Sequence, residues 1–252
     1  MKQERHLGRR SATLAAALLR PQLALLPQRA RKWNTLYAAL AFRAAERAGI
    51  EIPDKAWANV AQGALRCLTK ESSAGNATGK FAARAAGFSY RANTNEPTGS
   101  MTTAGLSVLA LAQEGTDGKL PPALAQRARA AVALGLTWLE RNFEWGQNPG
   151  QNAHHYFWVY GVERAGTLLG TDTLGGLDWY WAGASYLVRK QQLNGSWSST
   201  GQAADEPIDT LLALLFLKRA TAPVSGATLT PQSRAPRAPA TADAGARSAS
   251  WD

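Results

Sequence analysis

The side chains best suited to chemistry lie in one stretch, Asn152-Ala153-His154-His155-Tyr156-Phe157-Trp158-Val159-Tyr160, followed by Glu163 and Arg164. Three aromatics at alternate positions 156, 158 and 160, with a histidine pair ahead of them, have the composition of a pocket for an apolar ligand. His154, His155, Tyr156, Trp158, Tyr160 and Arg164 are therefore the candidate pocket residues. The plainer alternative is that the rings fill space between helices and that Glu163 and Arg164 bond to loops. Metal binding is not supported. Neighbouring residues on a helix point about 100° apart, so His154 and His155 do not readily share an ion. The single cysteine, Cys67, cannot build a thiolate-rich zinc site or an intrachain disulfide and reads as a small apolar filler. There is no Gly-rich phosphate loop between a strand and a helix and no serine nucleophile elbow. No cofactor is implied.

The elements that must position these residues show themselves as a repeat. Four segments superpose: 35–45 (TLYAALAFRAA), 102–112 (TTAGLSVLALA), 156–166 (YFWVYGVERAG) and 210–220 (TLLALLFLKRA). Their starts differ by 67, 54 and 54 positions, and the Ser-, Gly-, Ala- and Asn-rich stretch 70–86 accounts for the longer first interval. Each segment is apolar on nearly every side, the pattern of a helix buried among helices. Between them, residues 54–68, 124–143 and 176–191 carry apolar residues at i, i+3 and i+4 with polar residues opposite, the pattern of helices with one wet face. Strand signals are nearly absent, and prolines at 53, 97, 121, 122, 149 and 207 mark the loops. The expected architecture is all-α, a stack of helical hairpins.

One of the half-wet helices ends in Gln191-Gln-Leu-Asn-Gly195-Ser-Trp197. A Gln at a helix end can bond to backbone groups that lack helical partners, the Gly supplies a left-handed turn, and the Trp packs back over the helix end. Such an element clamps neighbouring hairpins. Gly87-Phe-Ser-Tyr90 is a partial echo without the preceding Gln.

Charge and composition set the boundaries. The 252 residues carry a net charge of +10, are 45% hydrophobic and only 18% charged, and include nine tryptophans, which excludes a generally disordered chain. Residues 1–32 hold eight Lys and Arg against Glu4 alone, whereas 33–221 is close to neutral. A basic patch raises the question of nucleic acid or anionic lipid, but here it sits in an appendage without aromatic interleaving or a reading motif. Arg9-Arg10 followed by an apolar run resembles an export signal, even a twin-arginine one, yet Arg20-Pro21 cuts the run after nine residues. No run approaches the roughly 18 residues of a membrane span. Residues 1–32 therefore read as a basic lead-in or degenerate signal, with a cytoplasmic location favoured over export. Residues 222–252, nearly all Ala, Pro, Ser, Thr, Gly and Arg, read as a disordered tail.

The Q-x-x-x-G-x-W element, the apolar helix 210–217, and the segments 87–90, 99–106 and 155–164 together resemble the squalene–hopene cyclase and protein prenyltransferase superfamily, over roughly residues 33–221. Gln191, Gly195 and Trp197 match its QW repeat. The resemblance implies an α/α toroid, here a partial barrel of about four hairpins with alternating inner and outer helices. It also implies an acid motif at the start of an inner helix, and the nearest match is Glu206-Pro207-Ile208-Asp209-Thr210. Ile208 stands where the proton donor belongs, and an isoleucine has no proton to give. Asp205, Glu206 and Asp209 remain weak catalytic candidates, with Asp172 more remote; Glu206 and Asp209 equally suit a helix N-terminus. The Asp that the resemblance places ahead of the first inner helix is replaced by Lys32-Trp33, which suggests an altered start or a fragment.

Three functions follow as expectations. The first is a non-catalytic binding or scaffold module for a protein partner or an apolar, isoprenoid ligand, with self-association through the incomplete toroid. The second is a terpenoid cyclase or isoprenoid-processing enzyme using a non-standard acid. The third is a weak anionic-membrane or nucleic-acid contact through residues 1–32.

Overall fold

The structure, a computed structural model, describes residues 32–72, 84–200 and 204–221. The lead-in up to residue 31, the tail 222–252 and residues 73–83 of the insertion lie outside the described residues.

Seven helices occur among the described residues: α1 (Lys32–Arg47), α2 (Asp54–Leu65), α3 (Gly99–Gly115), α4 (Pro122–Asn142), α5 (His155–Leu169), α6 (Trp179–Lys190) and α7 (Glu206–Leu217). Among the described residues the chain is all-α: segments 35–45, 102–112 and 156–166 lie inside α1, α3 and α5, and segment 210–220 starts in α7 and runs three residues past its end at Leu217. These four pack in sequence, α1 on α3, α3 on α5 and α5 on α7. The half-wet helices pack against them: α2 on α1 and α3, α4 on α3, and α6 on α5 and α7.

Burial separates the middle of this row from its ends. Nearly every residue of α3 and α5 is buried, as their uniform apolarity predicts. In contrast, α7 buries Asp209, Ala213 and Phe216 and leaves Ile208, Leu211 and Leu214 about half exposed. Tyr37 of α1 is similarly exposed. The helix α7 is as apolar as α3 and α5, but among the described residues α1 and α7 each pack on one of these four helices where α3 and α5 pack on two.

Two small hairpins depart from the strand-free expectation. Strand β1 (Phe88–Ser89) pairs antiparallel with β2 (Pro97–Thr98), and β3 (Thr173–Leu174) with β4 (Leu177–Asp178). The second closes through Gly175-Gly176 at φ +61° and +74°, a two-residue turn that only glycines adopt without strain. It delays α6 to Trp179, where residue 176 was the expected start. Asp178 then caps α6, its carboxylate accepting the Trp181 N–H at 2.9 Å.

Most of the tryptophan and phenylalanine rings between α4, α5, α6 and α7 form one continuous cluster. Phe143 meets Trp145 and Trp158 edge-on at centroid distances of 5.0 and 5.3 Å. Trp145 reaches Phe216 of α7 at 6.0 Å, and Phe216 stacks on Tyr180 of α6 at 5.9 Å. At the other end of the row, the buried Arg43 of α1 pairs with Glu114 of α3 at 2.8 Å.

Candidate functional site

The loop that leaves α6 organises the site. Gln191 donates its side-chain N–H to the Gly195 carbonyl at 2.9 Å, and Gly195 takes φ +86°, so the chain reverses within a few residues. Trp197 returns buried under α6 and donates its indole N–H to the Leu187 carbonyl at 2.8 Å. The helix-end carbonyl is therefore met by the Trp, and the Gln braces the loop. Trp197 is also joined to α7: its N–H donates to Thr210 Oγ1 at 3.0 Å, and that hydroxyl donates to the Trp197 carbonyl at 3.1 Å.

Two residues further, the Ser199 N–H and hydroxyl both donate to one carboxylate oxygen of Asp209 at 2.8 Å. Asp205 is the N-cap of α7 and accepts the Ile208 N–H at 3.3 Å, while Glu206 accepts from the Asn194 side chain at 3.3 Å. Of the three acidic residues, the cap is thus Asp205, with Glu206 and Asp209 in the first turn.

An open cavity of about 520 Å³ lies beside this turn. Its apolar walls are Tyr37 of α1, Phe157 of α5, and Ile208 and Leu212 of α7; its polar groups are His154, Asp205 and Asp209. A second, polar pocket of about 30 Å³ adjoins it across His154, with Asn148, Asn152, His155 and Ser199 on its walls, room for about one water. His154 belongs to both and sits at φ +57°, a left-handed conformation that costs a non-glycine residue about 1–3 kcal/mol.

The candidate pocket residues are separated by the fold. His154 faces the large cavity and His155 the small one. Tyr156, Trp158, Tyr160 and Arg164 line neither. Trp158 is fully buried and donates its indole N–H to the Glu144 carbonyl at 2.9 Å. Arg164 lies over the Tyr160 ring, 4.3 Å from its centroid. Glu163, fully buried, accepts the Thr221 N–H at 3.1 Å and the Thr221 hydroxyl at 2.6 Å, so it ties the end of α7 to α5. Burial raises its carboxyl above the usual range, against the hydrogen bonds from Thr221 that lower it. Cys67 is buried just past α2, and Asp172 is on the turn after α5, away from both cavities.

His155 Nε2 lies 2.7 Å from the Trp145 carbonyl and 3.3 Å from the Tyr186 hydroxyl. A carbonyl only accepts, so Nε2 carries the proton and the Tyr186 oxygen shares it. Burial lowers the His155 pKa, and burial raises the Tyr156 and Tyr186 phenols.

Of the cavity walls, Tyr37, Phe157 and Leu212 were not singled out from the sequence, and Ile208 was noted there only for the acid it replaces. The usable signal was on α7, where residues 205, 208, 209 and 212 fall at i, i+3, i+4 and i+7 and share one helical face. Comparison with family models, with curated proteins and with solved structures finds no match to this chain.

Proposed function

We propose that the chain is a partial α/α toroid, with α1, α3, α5 and α7 as inner helices and α2, α4 and α6 as outer ones, that binds an apolar ligand of isoprenoid type without transforming it. The alternation of buried and half-wet helices and the resemblance to squalene–hopene cyclases and prenyltransferases support the architecture. The observation that carries the binding role is Ile208: at the place where the resemblance puts a proton donor, an aliphatic side chain forms part of the cavity wall. The cavity's volume is that of ordinary small-molecule sites. Scaffold contacts with a protein partner or a second copy would use Leu211 and Leu214, which continue this apolar surface along α7.

The alternative, catalysis by a non-standard acid, has Asp205 and Asp209 on the same wall in its favour. Both carboxylates are engaged as acceptors of N–H or O–H groups, the reverse of a proton donor's arrangement.

Titration of the full chain with the neutral dye Nile red tests the binding role. A ligand efficiency of about 0.3 kcal/mol per atom over roughly 24 atoms gives about 7 kcal/mol, a Kd on the order of 10 µM. Farnesol should displace the dye, and Ile208→Trp, which crowds the cavity wall, should weaken saturable binding. Saturable binding unchanged in Ile208→Trp would place the dye elsewhere and end the reading. Any cyclised product from squalene or a polyprenyl diphosphate would transfer the assignment to the cyclase alternative.

A further inference from the structure

We propose that a second copy of this chain docks on the outer face of α6, the two α6 helices lying antiparallel across a two-fold axis near Ala184 and Ser185. The inference draws on neither the cavity nor Leu211 and Leu214 of α7. Within α6, Trp179, Gly183 and Leu187 are buried and face the core. Trp181, Ala184, Ser185 and Val188 fall at i, i+3, i+4 and i+7 and form the opposite stripe. Trp181 is 74% exposed and Val188 66%; of the large apolar side chains among the described residues, only Leu193, in the loop that leaves α6, is more exposed. A tryptophan and a valine held out together on one helix face mark an interaction surface. Ala184 and Ser185, between them, are small and let a facing helix approach closely.

The occupant is identified by the stripe's complementarity to its own reversed image. Trp181 and Val188 stand about 10.5 Å apart along the helix axis, on either side of the two small residues. Reversing one α6 end for end about that centre lays each indole on Val188 of the other copy, so the same pairing occurs twice, as a two-fold interface requires. The charges repeat this symmetry. Asp178 and Arg189, both exposed, are separated by close to three whole turns and so stand on the same flank of the stripe, one at each end. In the antiparallel pair each Asp178 meets Arg189 of the other copy, whereas a parallel pair would leave the two charges three turns apart. Exposed ion pairs of this kind fix orientation more than affinity. The indole supplies most of the attraction, as large aromatic rings do at interface centres. Two helices of 12 residues, each about 18 Å long, fall short of the roughly 800 Å² per partner of a tight interface. The dimer is therefore weak, with a Kd on the order of 50 µM.

Sedimentation velocity of the full chain, from about 1 to about 300 µM, tests the docking. The weight-average mass should rise toward that of two chains over this range. Trp181→Asp should hold it at one chain throughout, with far-UV circular dichroism unchanged because so exposed an indole adds little to the fold. The swap Trp181→Val/Val188→Trp preserves the pairing and should keep Kd within about threefold. Orientation is read by oxidising single cysteines in a Cys67→Ser chain. Ser185→Cys, beside the axis, should link two copies about tenfold faster than Val188→Cys, whose two positions lie more than about 10 Å apart, beyond the roughly 7 Å that a disulfide spans. Equal rates would overturn the antiparallel docking, and so would the mass of one chain at every concentration. A dimer that survives Trp181→Asp but is lost in Leu211→Asp/Leu214→Asp would place the second copy on α7 and overturn the proposal. Flotation with phosphatidylcholine and phosphatidylglycerol vesicles at about 1 µM chain supplies the remaining arm. Vesicle binding that needs Trp181, in a chain that never dimerises, would assign this face to a lipid surface instead.

Discussion

Replacing Trp197 by Phe isolates one hydrogen bond at the junction of α6 and α7. The indole is 2% exposed and its N–H donates to the Leu187 carbonyl at 2.8 Å. Leu187 lies in the last turn of α6, and Gln191, whose N–H would otherwise continue the helical ladder to that carbonyl, leaves the helix at ψ 132°. Phenylalanine keeps most of the ring packing and removes the donor, so a buried carbonyl is left without this partner. That loss costs about 1–3 kcal/mol, which for a domain of this size lowers Tm by roughly 2–12 °C. Trp197→Ala also opens a cavity and should cost about 3–5 kcal/mol. Thr210→Val removes the hydroxyl that both accepts from and donates to the Trp197 backbone. Because Trp197 and Thr210 act in one clamp, the Trp197→Phe/Thr210→Val double variant should depart from additivity by about 0.5 kcal/mol or more. Thermal and urea unfolding followed by far-UV circular dichroism measure all four. A Trp197→Phe variant within about 0.5 kcal/mol of wild type would show that the indole N–H contributes nothing and that the junction is held by ring burial alone.

Two further outcomes follow from the packing of α5. A Cβ on Gly161 would collide with Thr103 Oγ1 of α3, so Gly161→Ala should destabilise by about 1–3 kcal/mol through overpacking, and Thr103→Ala in the same chain should recover part of that loss; a strictly additive double variant would refute the contact. The His155 pKa is lowered by burial, so the unfolded chain binds more protons in the window below about 6.5. Stability therefore rises as pH increases toward 6.5 and is lost as pH falls through that window. His155→Phe should flatten this part of the Tm profile, and an unchanged slope would remove His155 as its source.

The repeat was legible because burial periodicity is a local property. Segments 35–45, 102–112, 156–166 and 210–220 each announced a helix without a wet face; α1, α3 and α5 contain the first three, and α7 covers the fourth as far as Leu217. The Gln191 to Trp197 loop was legible for a similar reason, since its bonds span a few residues and Gly195 is the left-handed position. The β3–β4 hairpin was local as well, but two residues on either side of Gly175-Gly176 are too short a signal to stand out beside a helical pattern.

The sequence by itself determined which segments are helices and which of those carry a wet face, because apolar spacing at 3.6 residues per turn marks both. It could not determine what each face meets. Tyr37, Phe157 and Leu212 are far apart in the chain and become one wall only when α1, α5 and α7 are assembled. Trp158, chemically as suited to a ligand as Phe157, is instead spent on the Glu144 carbonyl and the Phe143 ring, while Phe157, one position away and about 100° round the helix, faces the cavity. Ile208 is exposed where a uniformly apolar helix suggested burial, because α7 ends the row and has no further helix of its own kind beside it among the described residues. Hydrophobic attraction is non-directional, so composition states that a surface will be covered, and only the tertiary arrangement decides by what.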